Sequence, residues 1–317
     1  MRVLVTGCCG FIGNALTRRL VKMGYDVWGL DTFYAKWQYL HPKVKTYVAD
    51  VTDKHSISKA IKAIQPEVVI HLAAITPVSL SFKMPKTYME VNYGGTINLA
   101  EACLDHAENL RAFIYASTSE VYGNQREFPI VEEVEPRPNT PYSVSKYAAE
   151  LYLKVYMREA YDFPVVVARP FNTYGRANVR QRHFVVEKIL TSMLEGKEVI
   201  ELGNPEARRD FLFREDHVEG YIAILRAVER GERIFGEVFN FCTNSDVSIR
   251  ELVQIAAEII GWKGEVRWGM HYRPTDIKRL RGSYEKAWRR LGWKPKYNLE
   301  EGLAKAASEW QGVLKQP

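Results

Sequence analysis

A mostly parallel sheet with helices on both faces is the α/β architecture this 317-residue chain predicts, and three features point to it. Short apolar, β-branched runs alternate with helical stretches through the first half of the sequence. The first run feeds a turn with glycine at positions 7, 10 and 13. The second ends on a lone acid, Asp31. Continuous apolar strands separated by helices belong to parallel sheets buried on both sides.

The elements follow in order. Residues 2–5 read as a buried strand, 7–13 as a turn, 14–23 as a helix and 26–30 as the second strand. The pattern recurs as strand 45–49, helix 56–64 and strand 68–72. A helix around 92–106 leads into the β-rich run 111–116, and a long helix over 142–159 into a strand at 165–168. After Pro170 the alternation loosens. Helices are expected at 184–195, 216–228, 249–260 and 283–291, with a short strand at 198–201. Residues 1–170 therefore read as a Rossmann-type nucleotide-binding core. Residues 171–317 read as a smaller, interleaved substrate-binding domain, with elements near 211–243 returning to the first.

Composition narrows the function. The chain is 46% hydrophobic and 26% charged, ordinary for a globular protein. Its net charge of +6 comes from short groups such as Arg208-Arg209 and Arg289-Arg290, countered by Glu132, Glu133 and Glu135. That bias suits an anionic substrate. Nucleic acid is not an expected partner, because no basic helix or aromatic-basic platform occurs. Adjacent Cys8 and Cys9 in a tight turn, without a His/Cys cluster, argue for no metal. No apolar run reaches membrane-spanning length, and the chain opens on a strand, so a soluble cytoplasmic protein is expected.

The turn Thr6-Gly7-Cys8-Cys9-Gly10-Phe11-Ile12-Gly13 lies between a strand and a helix, where glycines let a pyrophosphate approach backbone N–H groups. Asp31 at the end of the second strand can accept hydrogen bonds from both adenosine ribose hydroxyls and would repel a 2′-phosphate, so NAD is expected rather than NADP. Asp50 ends the third strand, where it either touches adenine or caps the following helix. Tyr142 and Lys146 are four apart on one helical face. A lysine beside a tyrosine favours tyrosinate, which exchanges a proton with a sugar hydroxyl while a hydride moves. Thr118 is suited to steering that hydroxyl.

These residues carry a resemblance. TGCCGFIG, HLAA at 71–74, STSEVYG at 117–123 and YSVSK at 142–146 resemble the extended short-chain dehydrogenase/reductase family, in its nucleotide-sugar epimerase and dehydratase branch. ARPFNTYG at 168–175, RRDF at 208–211 and LGWKP at 291–295 extend the likeness across nearly the whole chain. The resemblance implies a nucleotide-diphosphate sugar as substrate. It places Gly7, Gly10, Phe11, Ile12 and Gly13 along the NAD pyrophosphate, Asp31 at the adenosine ribose, and Asp50 and Val51 near adenine. Leu72, Ala73 and Ala74 would line the cofactor, and Lys146 would contact its nicotinamide ribose. Asn92 takes either a cofactor-side or a packing role. Thr118 and Tyr142 become the redox pair, and Asn172, Arg209 and Arg273 hold the sugar nucleotide, the arginines clamping its diphosphate. The helices 92–106 and 142–159 would pack across a two-fold axis into a homodimer, with pairing into a tetramer left open.

Glu120 bears on the reaction. Epimerisation at C4 needs oxidation, rotation of the keto-sugar and hydride return, which Tyr142, Thr118 and NAD supply. A 4,6-dehydratase also needs a base for the C5 proton, a role open to Glu120. ASTSEVYG, YMREAY at 156–161, GNPEARRDF at 203–211 and HYRPTDIKRLRG at 271–282 resemble GDP-mannose 4,6-dehydratases most closely, and GDP-mannose dehydration is the leading expectation. UDP-glucose/UDP-galactose-type 4-epimerisation is the first alternative and UDP-glucuronate decarboxylation the second. Asp31 departs from the NADP preference common in the GDP-mannose group, and Gly175-Arg176 lacks its usual proline. Ser119 stands where dTDP-glucose dehydratases carry an aspartate, so another group must supply that acid if water is lost.

Overall fold

The computed structural model describes residues 1–32, 34–35, 37–176, 184–270 and 274–314. Its centre is a seven-stranded sheet. Six strands come from the first half: β1 (Arg2–Thr6), β2 (Asp26–Asp31), β3 (Lys45–Val48), β4 (Val68–His71), β5 (Ala112–Ala116) and β6 (Val165–Pro170). The seventh, Val238–Phe241, returns from the second half and pairs with β6. The spatial order is Val238–Phe241, β6, β5, β4, β1, β2, β3, with every neighbour parallel. The chain runs outward from β1 to β3 and then crosses back to β4. The gap between those two directions opens at the carboxyl ends of β1 and β4, the usual ligand crevice of such sheets.

Alternation along the strands builds two cores. Val3, Val5, Val68 and Ile70 face one side, where Leu16 and Leu20 of the Phe11–Lys22 helix meet Ile222 and Leu225 of the Arg214–Glu229 helix. Leu4 and Val69 face the other, against Ile57, Ile61, Leu99, Cys103 and Ala149. A third apolar cluster lies outside the sheet. It gathers Ile189, Leu190, Leu252, Ala256, Leu303 and Trp310 from the helices Val185–Leu194, Ile249–Ile260 and Leu299–Leu314. The result is an α/β Rossmann-type fold with a smaller C-terminal part.

Several boundaries differ from those the sequence suggests. The first helix starts at Phe11 rather than residue 14, because the end of the glycine turn already has helical backbone after Gly10. The helix expected at 92–106 is preceded by the turn Pro85–Tyr88 and a wide π-helical turn, Met89–Gly94. A second wide turn, Tyr152–Met157, interrupts the long helix that begins at Pro141. The Leu299–Leu314 helix was not expected; its apolar face is complete only against the other two helices of the third cluster. Among the described residues no helix is long and apolar enough to cross a membrane.

Candidate active site

A cleft of about 1480 Å³ runs along the carboxyl ends of the strands and out between the sheet and the C-terminal part. Two glycines shape its floor. Gly7 has φ of +67°, and a Cβ there would sit 2.8 Å from the Ala73 nitrogen. A Cβ on Gly13 would sit 2.1 Å from the Gly7 carbonyl oxygen. Both are held to glycine by the closeness of turn, helix and β4, which is the packing a dinucleotide turn requires. Asp31 closes this end. Its carboxylate accepts N–H bonds from Cys9 and Thr32, each at 2.9 Å, and burial raises it above the ordinary aspartate range. Cys8, Cys9 and Asp31 present ligand atoms within 4.8 Å of one another. The Cys8 thiol is raised far above its usual range by its bond to Cys9 and by burial.

The chemistry-bearing side chains meet in the middle of the cleft. Thr140 caps the Pro141–Leu151 helix, accepting from the Ser143 N–H at 3.0 Å, and Ser143 returns the bond to the Thr140 N–H at 3.1 Å. This reciprocal cap fixes the first turn, from which Tyr142 projects, with Lys146 one turn on. Thr118 follows β5 by two residues and accepts from the Glu120 N–H at 3.2 Å, capping the short turn Ser119–Tyr122. Burial raises the Tyr142 phenol well above its ordinary value; the Thr118 side chain lowers it, and the Glu120 charge raises it. Lys146, buried with its Nζ 4.5 Å from the Tyr115 ring centroid, is lowered by burial to about 7, against the pull of Glu150.

A buried network fixes these parts. Glu150 accepts from the Ser117 hydroxyl at 2.8 Å and from Arg169 Nε at 3.1 Å, with a second Arg169 nitrogen completing a two-point pair. The pair ties the Tyr142/Lys146 helix to the ends of β5 and β6. Asn92 acts similarly: it accepts from the Ile75 N–H at 2.8 Å and donates to the Ile75 carbonyl at 3.1 Å and Ser145 Oγ at 3.0 Å. It does not line the cleft, because its carboxamide is fully used in clamping the loop after β4. Packing is therefore the role its position supports.

The cleft brings together Gly7, Gly10, Phe11, Ile12, Gly13, Asp31, Asp50, Val51, Leu72, Ala73 and Ala74 with Thr118, Glu120, Tyr142, Lys146, Asn172 and Arg209. Asp50 also accepts from the Thr52 N–H at 2.9 Å, a turn bond in place of the helix cap, which Asp53 supplies. Arg209 is buried, with one guanidinium nitrogen 3.1 Å from Asp276. The Asn172 side-chain oxygen is buried without a hydrogen-bond partner among the described residues. Arg273 lies outside the described residues. Sequence reading missed Glu150, Arg169 and Glu187. For Glu150 a signal existed, since it stands four residues after Lys146; Arg169 and Glu187 are recognisable only from burial.

Comparison with known proteins bears on this geometry. A family model described as GDP-mannose 4,6 dehydratase matches residues 4–306. The dTDP-D-glucose 4,6-dehydratase of Mus musculus is 33% identical, over 98% of this chain and 88% of its own. The chain is an extended short-chain dehydrogenase/reductase of the nucleotide-sugar epimerase/dehydratase family. It is thus an NAD-dependent enzyme of nucleotide-sugar metabolism. The family spans several reactions: the UDP-glucose 4-epimerase of Mycolicibacterium smegmatis is likewise 33% identical, over 96% of this chain and 97% of its own. Among solved structures, the Thermotoga maritima UDP-glucose 4-epimerase with UDP-glucose superposes with a TM-score of 0.90 at 30% identity, covering 99% of this chain and 100% of that one.

Proposed function

We propose that this member of the family catalyses NAD-dependent 4-epimerisation of a uridine-diphosphate hexose. The observation that carries the reading is the convergence of buried Thr118, Tyr142 and Lys146 on one cleft, in a fold that follows a UDP-glucose 4-epimerase over its full length. Bound NAD supplies reversible hydride acceptance. Tyr142 takes the proton of the C4 hydroxyl and later returns it. Thr118 holds that hydroxyl in line, and Lys146 stabilises the phenolate and orients the nicotinamide ribose. Gly7, Gly10 and Gly13 admit the pyrophosphate, and Asp31 takes the adenosine ribose hydroxyls. Arg209 and Asn172, with Arg273, hold the nucleotide sugar. We also propose a homodimer built on the helices around 85–106 and 141–161, where Val144, Leu151, Val155 and Tyr156 are exposed.

Glu120 favours a second reading, 4,6-dehydration. It lines the cleft and acts electrostatically on Tyr142, a position suited to removing the C5 proton after C4 oxidation. The 33% identity to a dTDP-D-glucose dehydratase and the family description support it. A panel of UDP-glucose, UDP-galactose, UDP-glucuronate, dTDP-glucose and GDP-mannose, analysed by mass spectrometry and NMR, tests both. Unchanged mass with inverted C4 is the expected result. Loss of water from dTDP-glucose or GDP-mannose, or of carbon dioxide from the uronate, replaces it with dehydration or decarboxylation.

A further inference from the structure

Glu187 is a buried acid that the proposed redox chemistry does not use. It stands in the first turn of the Val185–Leu194 helix and is among the residues that line the same cleft as Thr118 and Tyr142. The residue is 2% exposed. One carboxyl oxygen accepts from the Gly175 N–H at 3.1 Å, which ties this helix to the loop after the strand Asn172–Tyr174. The other oxygen, Oε2, is buried with no hydrogen-bond partner among the described residues. Among the described residues no arginine or lysine offsets it: burial raises the group to about 7, and the opposing influences are its own N–H and that of Gly175.

Burying a carboxyl oxygen without a partner costs about 1–3 kcal/mol, more when it is charged. The Gly175 bond alone does not account for it, since an asparagine, serine or glutamine would accept that N–H without burying a charge. Perturbed, uncompensated acids in a cleft are candidates for ligand contact. This part of the cleft is lined by residues of the C-terminal part, among them Val185, Val186, Leu202 and Phe211 together with the polar Asn204 and Arg209, rather than by the dinucleotide turn. A donor from a bound molecule would meet a strong acceptor in Glu187.

We propose that Glu187 is a specificity-determining residue whose free carboxyl oxygen accepts a hydrogen bond from an N–H or O–H group of the nucleotide sugar. The proposal rests on the reading of this cleft as a nucleotide-sugar site. Two parts of such a ligand carry the chemistry: the imide or amino edge of the base, and the hydroxyls of the sugar.

The test is calorimetric titration of GDP, UDP and dTDP, and of GDP-mannose, UDP-glucose and dTDP-glucose, into the NAD-loaded wild-type, E187Q and E187L proteins. E187Q keeps an acceptor for Gly175 and so guards against a folding defect in E187L. Both variants should bind NAD as the wild type does and weaken the preferred nucleotide sugar about 10- to 100-fold, as expected for a hydrogen bond to a charged group. An equal loss with the nucleoside diphosphate alone locates the donor on the nucleotide; a loss confined to the sugar-bearing ligand locates it on the sugar. Wild-type binding that both variants reproduce would overturn the role of Glu187 and leave the cleft reading standing. So would equal weakening of every ligand, NAD included, together with a lower melting temperature, which marks a purely structural residue. Failure of the wild type to bind any of the six would overturn both.

Discussion

At the scale of single residues, protonation decides what each group can do. Tyr142 is held protonated by burial, with Thr118 as the one neighbour that acts in the opposite direction. Tyr142→Phe should therefore slow NAD reduction by the sugar ~10²- to 10⁴-fold, read as single-turnover absorbance of NADH. Glu120→Gln should retain C4 oxidation; if it abolishes loss of water from a substrate the wild type dehydrates, dehydration through Glu120 gains and epimerisation yields. Glu187 gives a separate signature in stability. Its folded value of about 7 exceeds the ordinary 4.5, so the folded chain binds this proton more tightly than the unfolded one. That contribution is complete below about 4.5 and lost as pH rises through about 7. The melting temperature of the wild type should fall relative to E187Q across that interval, by the equivalent of ~3 kcal/mol, in thermal unfolding at stepped pH. These residues differ in how far the chain announced them. Tyr142, Lys146 and the three glycines stand at fixed spacings in one segment each. Glu187 stands beside Lys188 on a helix that also carries Thr191 and Ser192, and only burial shows that its acid faces inward.

Among elements, the Pro141–Leu151 helix matters most, because its placement sets the distance from Tyr142 to Thr118. Its cap and its ion pair are separable. Thr140→Ala removes an acceptor from the first turn and should cost about 1 kcal/mol in chemical denaturation. Glu150→Ala leaves Arg169 buried without its counter-charge and should cost about 3–5 kcal/mol, with a loss of activity because Ser117 and the end of β5 lose their anchor. The strands were legible in the chain as apolar runs, since a parallel strand is buried on both faces and needs no partner to be recognised. Helix ends were less so. The backbone after Gly10 is helical although the glycine turn reads as a loop, and the wide turns at Met89–Gly94 and Tyr152–Met157 leave no mark in apolar periodicity. Asn92 illustrates the same limit. Its type suits a cofactor contact, but the wide turn delivers it to the Ile75 backbone.

For the molecule as a whole, Val144 and Leu151 of the Pro141–Leu151 helix and Val155 and Tyr156 of the wide turn that follows it are exposed, and none of them lines the cleft. Light scattering should give a mass near twice that of the 36.5 kDa chain. Leu151→Glu with Val155→Glu should yield monomers with unchanged circular dichroism; a monomeric wild type would remove the dimer from the proposal. The chain by itself determined the parallel sheet, the nucleotide turn and the Tyr142–Lys146 pair, because each depends on local backbone freedom or on spacing within one element. Only the tertiary structure decided that the Val238–Phe241 strand closes the sheet beside β6, that Glu150 and Arg169 brace the redox helix, that Asn92 turns away from the cleft, and that Glu187 faces into it. Those outcomes depend on which surfaces meet across more than a hundred residues of chain or across separate elements. Burial and desolvation, which set the cost and the charge of each such group, exist only once those surfaces have met.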